Sequence, residues 1–415
     1  MRIAQVAPLF EAVPPIGYGG TERVVSHLTE ALVRQGHDVT LYASGDSRTS
    51  AKLVPITERA LRGTSDWPDP AMPHVLAMER VAADADQFDV IHFHVDTLSL
   101  PYARRIATPS LLTLHGRLDL PGLPAFFSEF HDDTRLVSIS NDQRRPLPTL
   151  PWLATVYHGI DVDLFPFVAE PKDDYLVFVG RISPEKRPDR AIEIARRAGM
   201  KLKIAAKVDA ADREYFATTI APLLAEPHVE FIGEVGDDDK GELLGNARAL
   251  LFPIDWPEPF GLIMIEAMAT GTPVIATRRG SVPEVVDHGV TGLIVDSVDE
   301  AVAAVEEAGT LDRAAVRRRF EERFSAHRMA SDYVRAYEML LEERGRLAKP
   351  MRVVPAARHA AAVRRPVAVR PHAGRSVQAN GFVTRRHSRG DGAPSDWQRQ
   401  AGPATAAASG AADSA

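Results

Sequence analysis

The sequence predicts an α/β protein built from two doubly wound, largely parallel sheets, and three observations carry that prediction. Short apolar runs alternate with stretches long enough for helices, the pattern of βαβ units rather than of hairpins. The alternation occurs as two separate series, divided by a proline-bearing charged segment at 165–174. The chain has 415 residues, more than one typical domain needs for a single core.

The first series opens with an apolar strand at 2–7. A loop at 8–20 carries Gly17, Gly19 and Gly20; Thr21 then caps a helix reaching about Gln35, Gly36 closes it, and 39–43 is the next strand. Short strands follow at 89–93, 110–114, 135–139 and 154–157. Open α/β sheets bind ligands at the carboxyl ends of their strands, so His94, Asp96, His115, Gly116, Ser140 and Asn141 fall on one rim. His92 shares a pleat face with His94, but only His94 lies past the strand end.

The second series has strands at 175–179, 202–206, 229–232, 249–254, 273–277 and 292–296, with a helix across 191–197. The helical region 314–344 places Tyr333, Tyr337, Leu340 and Leu341 at helical spacing, as a packing face does. The domains expected are 1–165 and 166–325, then a C-terminal helix at 326–348 and a tail at 349–415.

Composition narrows the chemistry. Hydrophobic residues make up 45% and charged residues 25%, ordinary for a globular protein. The absence of cysteine excludes disulfides, thiolate metal sites and cysteine nucleophiles, and it suits a reducing compartment. No run reaches the length of a membrane span, and the N-terminus enters a strand directly, so a cytoplasmic protein is expected. The net charge of −7 hides an asymmetry: from Met351 onward ten arginines and three aspartates give +7, leaving −14 on the rest. That tail is rich in Ala, Pro, Gly and Arg and is expected to be disordered, with too little apolar surface to offset ordering entropy.

The most informative stretch runs from Phe252 to Glu266. An apolar run reads as a buried strand, the turn Pro257-Glu258-Pro259 follows, and a helix is expected from Phe260 with Pro259 in its first turn. Glu258 then sits at the helix mouth, beside free N–H groups and the positive end of the dipole. Gly261 leaves room for a ligand to approach the backbone. Glu266 lies eight residues beyond Glu258, about two turns, so both carboxylates are expected on one side. Past the strand at 175–179 come Gly180, Arg181 and Lys186, where two cations can grip a diphosphate, Arg as a fork and Lys as a point charge.

These strings, namely PEPFGL at 257–262, EAMATGTPV at 266–274, GSVPE at 280–284 and GVTG at 289–292, resemble the retaining family 4 of GT-B glycosyltransferases, also called glycosyltransferase group 1. The resemblance covers about 1–345 and is sharpest at 175–296. It implies two Rossmann-like domains facing across a cleft, the first for the acceptor and the second for a nucleotide-diphosphate sugar, with the last helix crossing back onto the first domain. In this reading Arg181 and Lys186 stabilise the departing diphosphate. Glu258 binds the transferred sugar, Glu266 the ribose, and Phe260, Gly261 and Leu262 offer backbone N–H groups. Gly19 and Gly20 form the glycine loop facing the cleft. His94 orients hydroxyls, with Asp96 and His115 assisting. No metal, no cofactor and no nucleic acid are implied.

His158-Gly159-Ile160-Asp161 resembles the turn ending the family's first domain, with histidine in place of the usual asparagine. The acceptor, a sugar, lipid or small metabolite, is not readable. Exposed basic pairs Arg104-Arg105 and Arg144-Arg145 offer peripheral contact with an anionic membrane, although such pairs more often only aid solubility. Ser281 precedes a short helix whose mouth is a second candidate for lining the donor site. The run Asp237-Asp238-Asp239 reads as helix-capping charge before 240–246 rather than as a metal motif. A glycoside hydrolase would use the paired glutamates but has no place for Arg181 and Lys186. The alternatives are a nucleotide-sugar epimerase on the same fold and a non-catalytic sugar-nucleotide binding protein.

Overall fold

The computed structural model describes residues 1–17, 19–131 and 135–348, so the tail expected to be disordered lies outside the described residues. Among the described residues, thirteen strands form two sheets. The first contains β1 (Arg2–Val6), β2 (Asp38–Ala43), β3 (Lys52–Pro55), β4 (Val90–Phe93), β5 (Ser110–Thr113), β6 (Arg135–Ser138) and β7 (Trp152–Thr155), in the order β3-β2-β1-β4-β5-β6-β7. The second contains β8 (Tyr175–Arg181), β9 (Lys201–Lys207), β10 (Val229–Gly233), β11 (Ala249–Phe252), β12 (Val274–Thr277) and β13 (Gly292–Val295), in the order β10-β9-β8-β11-β12-β13. The named strand pairs in both sheets are parallel. Each sheet thus reverses direction beside its first strand, between β1 and β4 and between β8 and β11. Connections leave in opposite directions there and open a crevice at the carboxyl ends, where doubly wound sheets bind ligands.

Helices cover both faces of each sheet, which explains why the central strands are apolar on both sides. Pro188 opens the helix Pro188–Ala198, where its missing N–H costs nothing, and Gly199 closes it at φ 68°. One face of the first sheet departs from the apolar rule. Gln5, His92 and Thr113 are fully buried on its central strands. The C-terminal helix Ala326–Ala348 covers that face, packing Met329, Tyr333, Tyr337 and Leu340 with Ile3, Val24 and Leu28.

Several expected boundaries move. β3 and the helix Ala71–Ala83 were not expected from the pattern, because Lys52–Pro55 is half-exposed and has no clean alternation. The first helix runs Gly20–Arg34 with Gly19 as its N-cap, and no side chain caps it, so Thr21 does not have the capping role expected. β8 continues through Arg181 rather than ending at Val179. The helix after β11 begins at Leu262, with Gly261 as N-cap at φ 82°. The helix is not entered at Phe260, and Pro259 is not in its first turn, because the positive φ at Gly261 turns the chain just before it.

Candidate active site

The carboxyl ends of β1, β4, β5, β8 and β11 meet around one cleft of about 750 Å³. The residues given a donor, acceptor or leaving-group role in the sequence line it: Gly19, Gly20, His94, Asp96 and His115 from the first sheet's loops, and Arg181, Lys186, Glu258, Phe260, Gly261, Leu262 and Glu266 from the second; Ser140 and Asn141, expected on the same rim, do not. A Cβ added at Gly20 would stand 3.9 Å from Leu262 Cδ1, so the glycine loop faces the helix mouth across the gap.

Glu258 belongs to the loop before the helix Leu262–Ala269, whereas Glu266 belongs to the helix, so the two carboxylates do not share a helical face. The Glu258 carboxylate accepts hydrogen bonds from Lys186 Nζ and, at 3.1 Å, from Trp256 Nε1. The Lys186 ammonium also lies 4.9 Å from the Trp256 ring centre, where the ring quadrupole favours a cation. Arg181 projects from the end of β8 among three acids. It pairs with Glu185, lies 3.3 Å from Asp212 and 3.9 Å from Asp209. Gly261 and the first N–H groups of its helix add donors that no helical carbonyl can satisfy.

Glu266 is buried and receives Lys240 Nζ at 3.0 Å. Lys240 bonds Asp237 at 3.0 Å, and Asp237 pairs in turn with Arg23 of the first helix. The N-cap of the helix Asp237–Gly245 is Gly236, so Asp237 stands in its first turn rather than at the cap, and its charge ties this helix to the first helix, Gly20–Arg34. Lys240, Trp256 and Arg23 were missed in the sequence because each earns its place through a partner remote in the chain.

The short helix Val282–Val285 does follow Ser281, but Gly280 and Ser281 are not among the cleft-lining residues. They brace the loop that carries Glu258 and Phe260 from behind. Ser281 N donates to Glu258 O at 2.9 Å, and Ser281 Oγ donates to Phe260 O at 2.8 Å. Glu284 of the same helix accepts from Asn141 N, Asp142 N and Tyr157 Oη, tying this brace to the first sheet's rim.

On the first sheet's rim the histidines gather. His94 is almost fully buried, while His115 is more open and stands over Asp96, whose φ is 48°. Asp96 Oδ1 accepts from His115 N at 3.5 Å. His158 stacks on His115 with ring centres 5.2 Å apart and meets Phe260 edge-on at 4.9 Å. His158 was left without a role in the sequence; its position past a strand end, like that of His94 and His115, was the available signal. Burial drives all four rings at this face toward the neutral form, with His115 pulled down to about 3 and His92, His94 and His158 also well below the usual value. Burial pushes Glu22, at the other edge of the cleft, up to about 6. Among the described residues, no group of three His, Asp or Glu is arranged to hold a metal ion. No helix among them is long and apolar enough to cross a membrane.

Two doubly wound sheets whose switch points share one cleft define the GT-B class of glycosyltransferase. The family model for glycosyl transferases group 1 matches residues 161–323, and that for glycosyltransferase family 4 matches 18–164. The chain belongs to the group 1 glycosyltransferases of GT-B fold. It is 27% identical to a glycogen synthase of Mycobacterium tuberculosis over 384 residues, covering 80% of this chain and 91% of the relative. AviGT4, a glycosyltransferase involved in avilamycin A biosynthesis, superposes with a TM-score of 0.61 at 26% identity, covering 82% of this chain and 98% of its own. Anabaena Alr3699/HepE, solved in complex with UDP and glucose, shares the fold with a TM-score of 0.63 at 16% identity, over 81% of this chain and 99% of its own.

Proposed function

We propose that this enzyme moves a hexosyl group from a nucleotide-diphosphate sugar to an acceptor hydroxyl with retention at the anomeric carbon, without a metal ion. The observation that carries the reading is the convergence of Arg181, Lys186 and Glu258 on one wall of the cleft, with Lys186 hydrogen-bonded to Glu258. When the anomeric C–O bond breaks, its electron pair stays on the diphosphate, and the acceptor oxygen forms the new bond while its proton is released. Arg181 and Lys186 meet the charge that develops on the leaving oxygens, where fixed cations act most strongly on the transition state. Lys186 can do so while still bonded to Glu258, because an ammonium has three donors. Glu258 then stands next to the diphosphate grip, where it would take hydroxyls of the transferred sugar, and Glu266, held by Lys240, would take the ribose.

Retention implies that bond making and breaking use one face of the sugar, and no side chain is assigned as a nucleophile. The first sheet's rim, with His94, Asp96 and His115, forms the acceptor side of the cleft in this reading. Relatives named for glycogen synthesis and for avilamycin A biosynthesis differ in product, so the acceptor is not carried over from either. A cytoplasmic setting agrees with a cysteine-free chain. Peripheral contact with an anionic membrane has the least support, since Arg104 pairs with Glu129, Arg144 bonds Thr155 and Arg145 pairs with Asp142.

The test is incubation of the purified chain with uridine, guanosine and adenosine diphosphate sugars, with and without candidate acceptors. Nucleoside diphosphate released only when acceptor is present is the expected result. An isomerised donor, or binding without turnover across the panel, would replace transfer with the epimerase or binding reading.

A further inference from the structure

A single chain of hydrogen bonds runs from the C-terminal helix through the first sheet to the cleft. Tyr333 Oη lies 2.9 Å from Thr113 Oγ1, which lies 2.8 Å from His92 Nε2. His92 Nδ1 lies 2.8 Å from Tyr337 Oη, which accepts from Gln5 Nε2 at 3.0 Å. Gln5 Oε1 lies 2.8 Å from His94 Nε2, and His94 Nδ1 lies 2.9 Å from His115 Nε2. The far ring nitrogen of His115, Nδ1, is buried in the cleft wall without a hydrogen-bond partner. An unpaired buried polar atom is costly, so a position of this kind calls for a ligand atom.

We propose that Gln5 and Tyr337 are positioning residues that fix His115 as a hydrogen-bond acceptor, so that the group it meets in the cleft is a hydroxyl rather than a phosphate oxygen. The proposal rests on the transferase reading for the identity of the ligand, but not for the direction of the chain.

The direction follows from the chemistry of neutral imidazole, which carries one donor and one acceptor nitrogen. Burial keeps His92, His94 and His115 neutral. Gln5 gives its N–H to Tyr337, and its carbonyl oxygen can only accept, so His94 must donate from Nε2. His94 Nδ1 is then a bare lone pair, and His115 must donate to it from Nε2. That leaves His115 Nδ1 without a proton. On the other side of Gln5 the order is the same: Tyr337, having accepted from Gln5, donates to His92 Nδ1, and His92 donates from Nε2 to Thr113. Reversing the order would require the Gln5 amide to turn over and every bond in the chain to invert together. Buried networks of this kind act as one unit, so an end in the C-terminal helix governs an end in the cleft.

The experiment uses the full chain labelled with ¹⁵N in histidine, without substrate, with the His115→Gln spectrum assigning the His115 signals. We expect a proton on Nε2 of His115 and none on Nδ1; a protonated Nδ1 would overturn the proposal. Gln5→Met and Tyr337→Phe, each checked for folding by thermal melt, should convert the single His115 tautomer into a mixture. They should also lower kcat/KM about tenfold for the diphosphate sugar and acceptor that the panel above shows to be turned over, the effect of misdirecting one buried hydrogen bond. Substrate analogues with one hydroxyl replaced by fluorine, which accepts but cannot donate, should include one whose penalty is present in wild type and absent in these variants. An unaltered His115 tautomer in the folded variants would remove Gln5 and Tyr337 from the account. If neither variant folds, the wild-type tautomer still decides. A chain with the expected tautomer and no transferase activity would count against the functional reading alone.

Discussion

Arg181 shows how a residue identified by its motif acquires its character from its neighbours. Glu185, Asp209 and Asp212 surround it. They hold the guanidinium at the cleft wall, but they would repel a diphosphate if the cation were absent. We therefore expect Arg181→Ala to lower kcat by about 10²–10³, the usual cost of removing one fixed donor to a developing oxyanion. A nearly unchanged melting temperature should accompany it, since the side chain is partly solvent-exposed and its ion pairs contribute little to stability. Full activity in a folded Arg181→Ala protein would remove the diphosphate grip. Arg181, Lys186, Glu258 and Glu266 were legible in the sequence because strand ends and glycine-proline turns mark where such residues face a crevice. Lys240 on Glu266 and Trp256 on Glu258 were not, since a side-chain contact leaves no periodicity.

Among elements, the loop from Pro257 to Gly261 does the positioning, and its support comes from the segment after β12. Gly280 has φ 53°, and a Cβ there would stand 2.3 Å from Glu258 N and 2.4 Å from Glu258 O. Gly280→Ala should therefore push the Glu258 backbone into the cleft. We expect kcat/KM to fall about 100-fold, as displacements near 1 Å do in active sites. Wild-type kinetics in this variant would mean that the brace behind Glu258 has no bearing on catalysis. The same loop explains an error of reading: the pattern placed the helix start at Phe260, while the positive φ of Gly261 delays it to Leu262. Helix ends are set by single dihedral angles, which composition specifies loosely.

For the molecule as a whole, the buried histidines make stability depend on pH. His27, pulled down to about 4, joins His92, His94, His115 and His158, each held below its ordinary value first by burial. Their folded pKa values lie below the unfolded one, so the unfolded chain binds protons that the fold refuses. Stability from these groups is complete above about pH 6.5 and is lost as pH falls. Glu22 works in the opposite sense between about 4.5 and 6, because burial raises its folded pKa and the fold then binds the extra proton. The histidines outnumber this carboxyl, so unfolding takes up protons as the pH falls below about 6.5. Urea midpoints should drop steeply between pH 7 and 5.5; a flat profile would mean these rings are not held neutral.

The sequence by itself determined that two series of parallel strands would each build a doubly wound sheet, and which strand ends would carry the acids and cations. Those facts are local: apolar runs, turn residues and spacing act over a few residues. Only the tertiary structure decided what those groups touch. The Arg23–Asp237–Lys240–Glu266 charge chain, the brace of Ser281 on Glu258, and the line from Tyr337 through Gln5 to His115 join residues up to 332 positions apart. Such contacts exist only after both sheets have formed and the last helix has packed back onto the first, because a hydrogen bond depends on distance and direction in space and not on order along the chain.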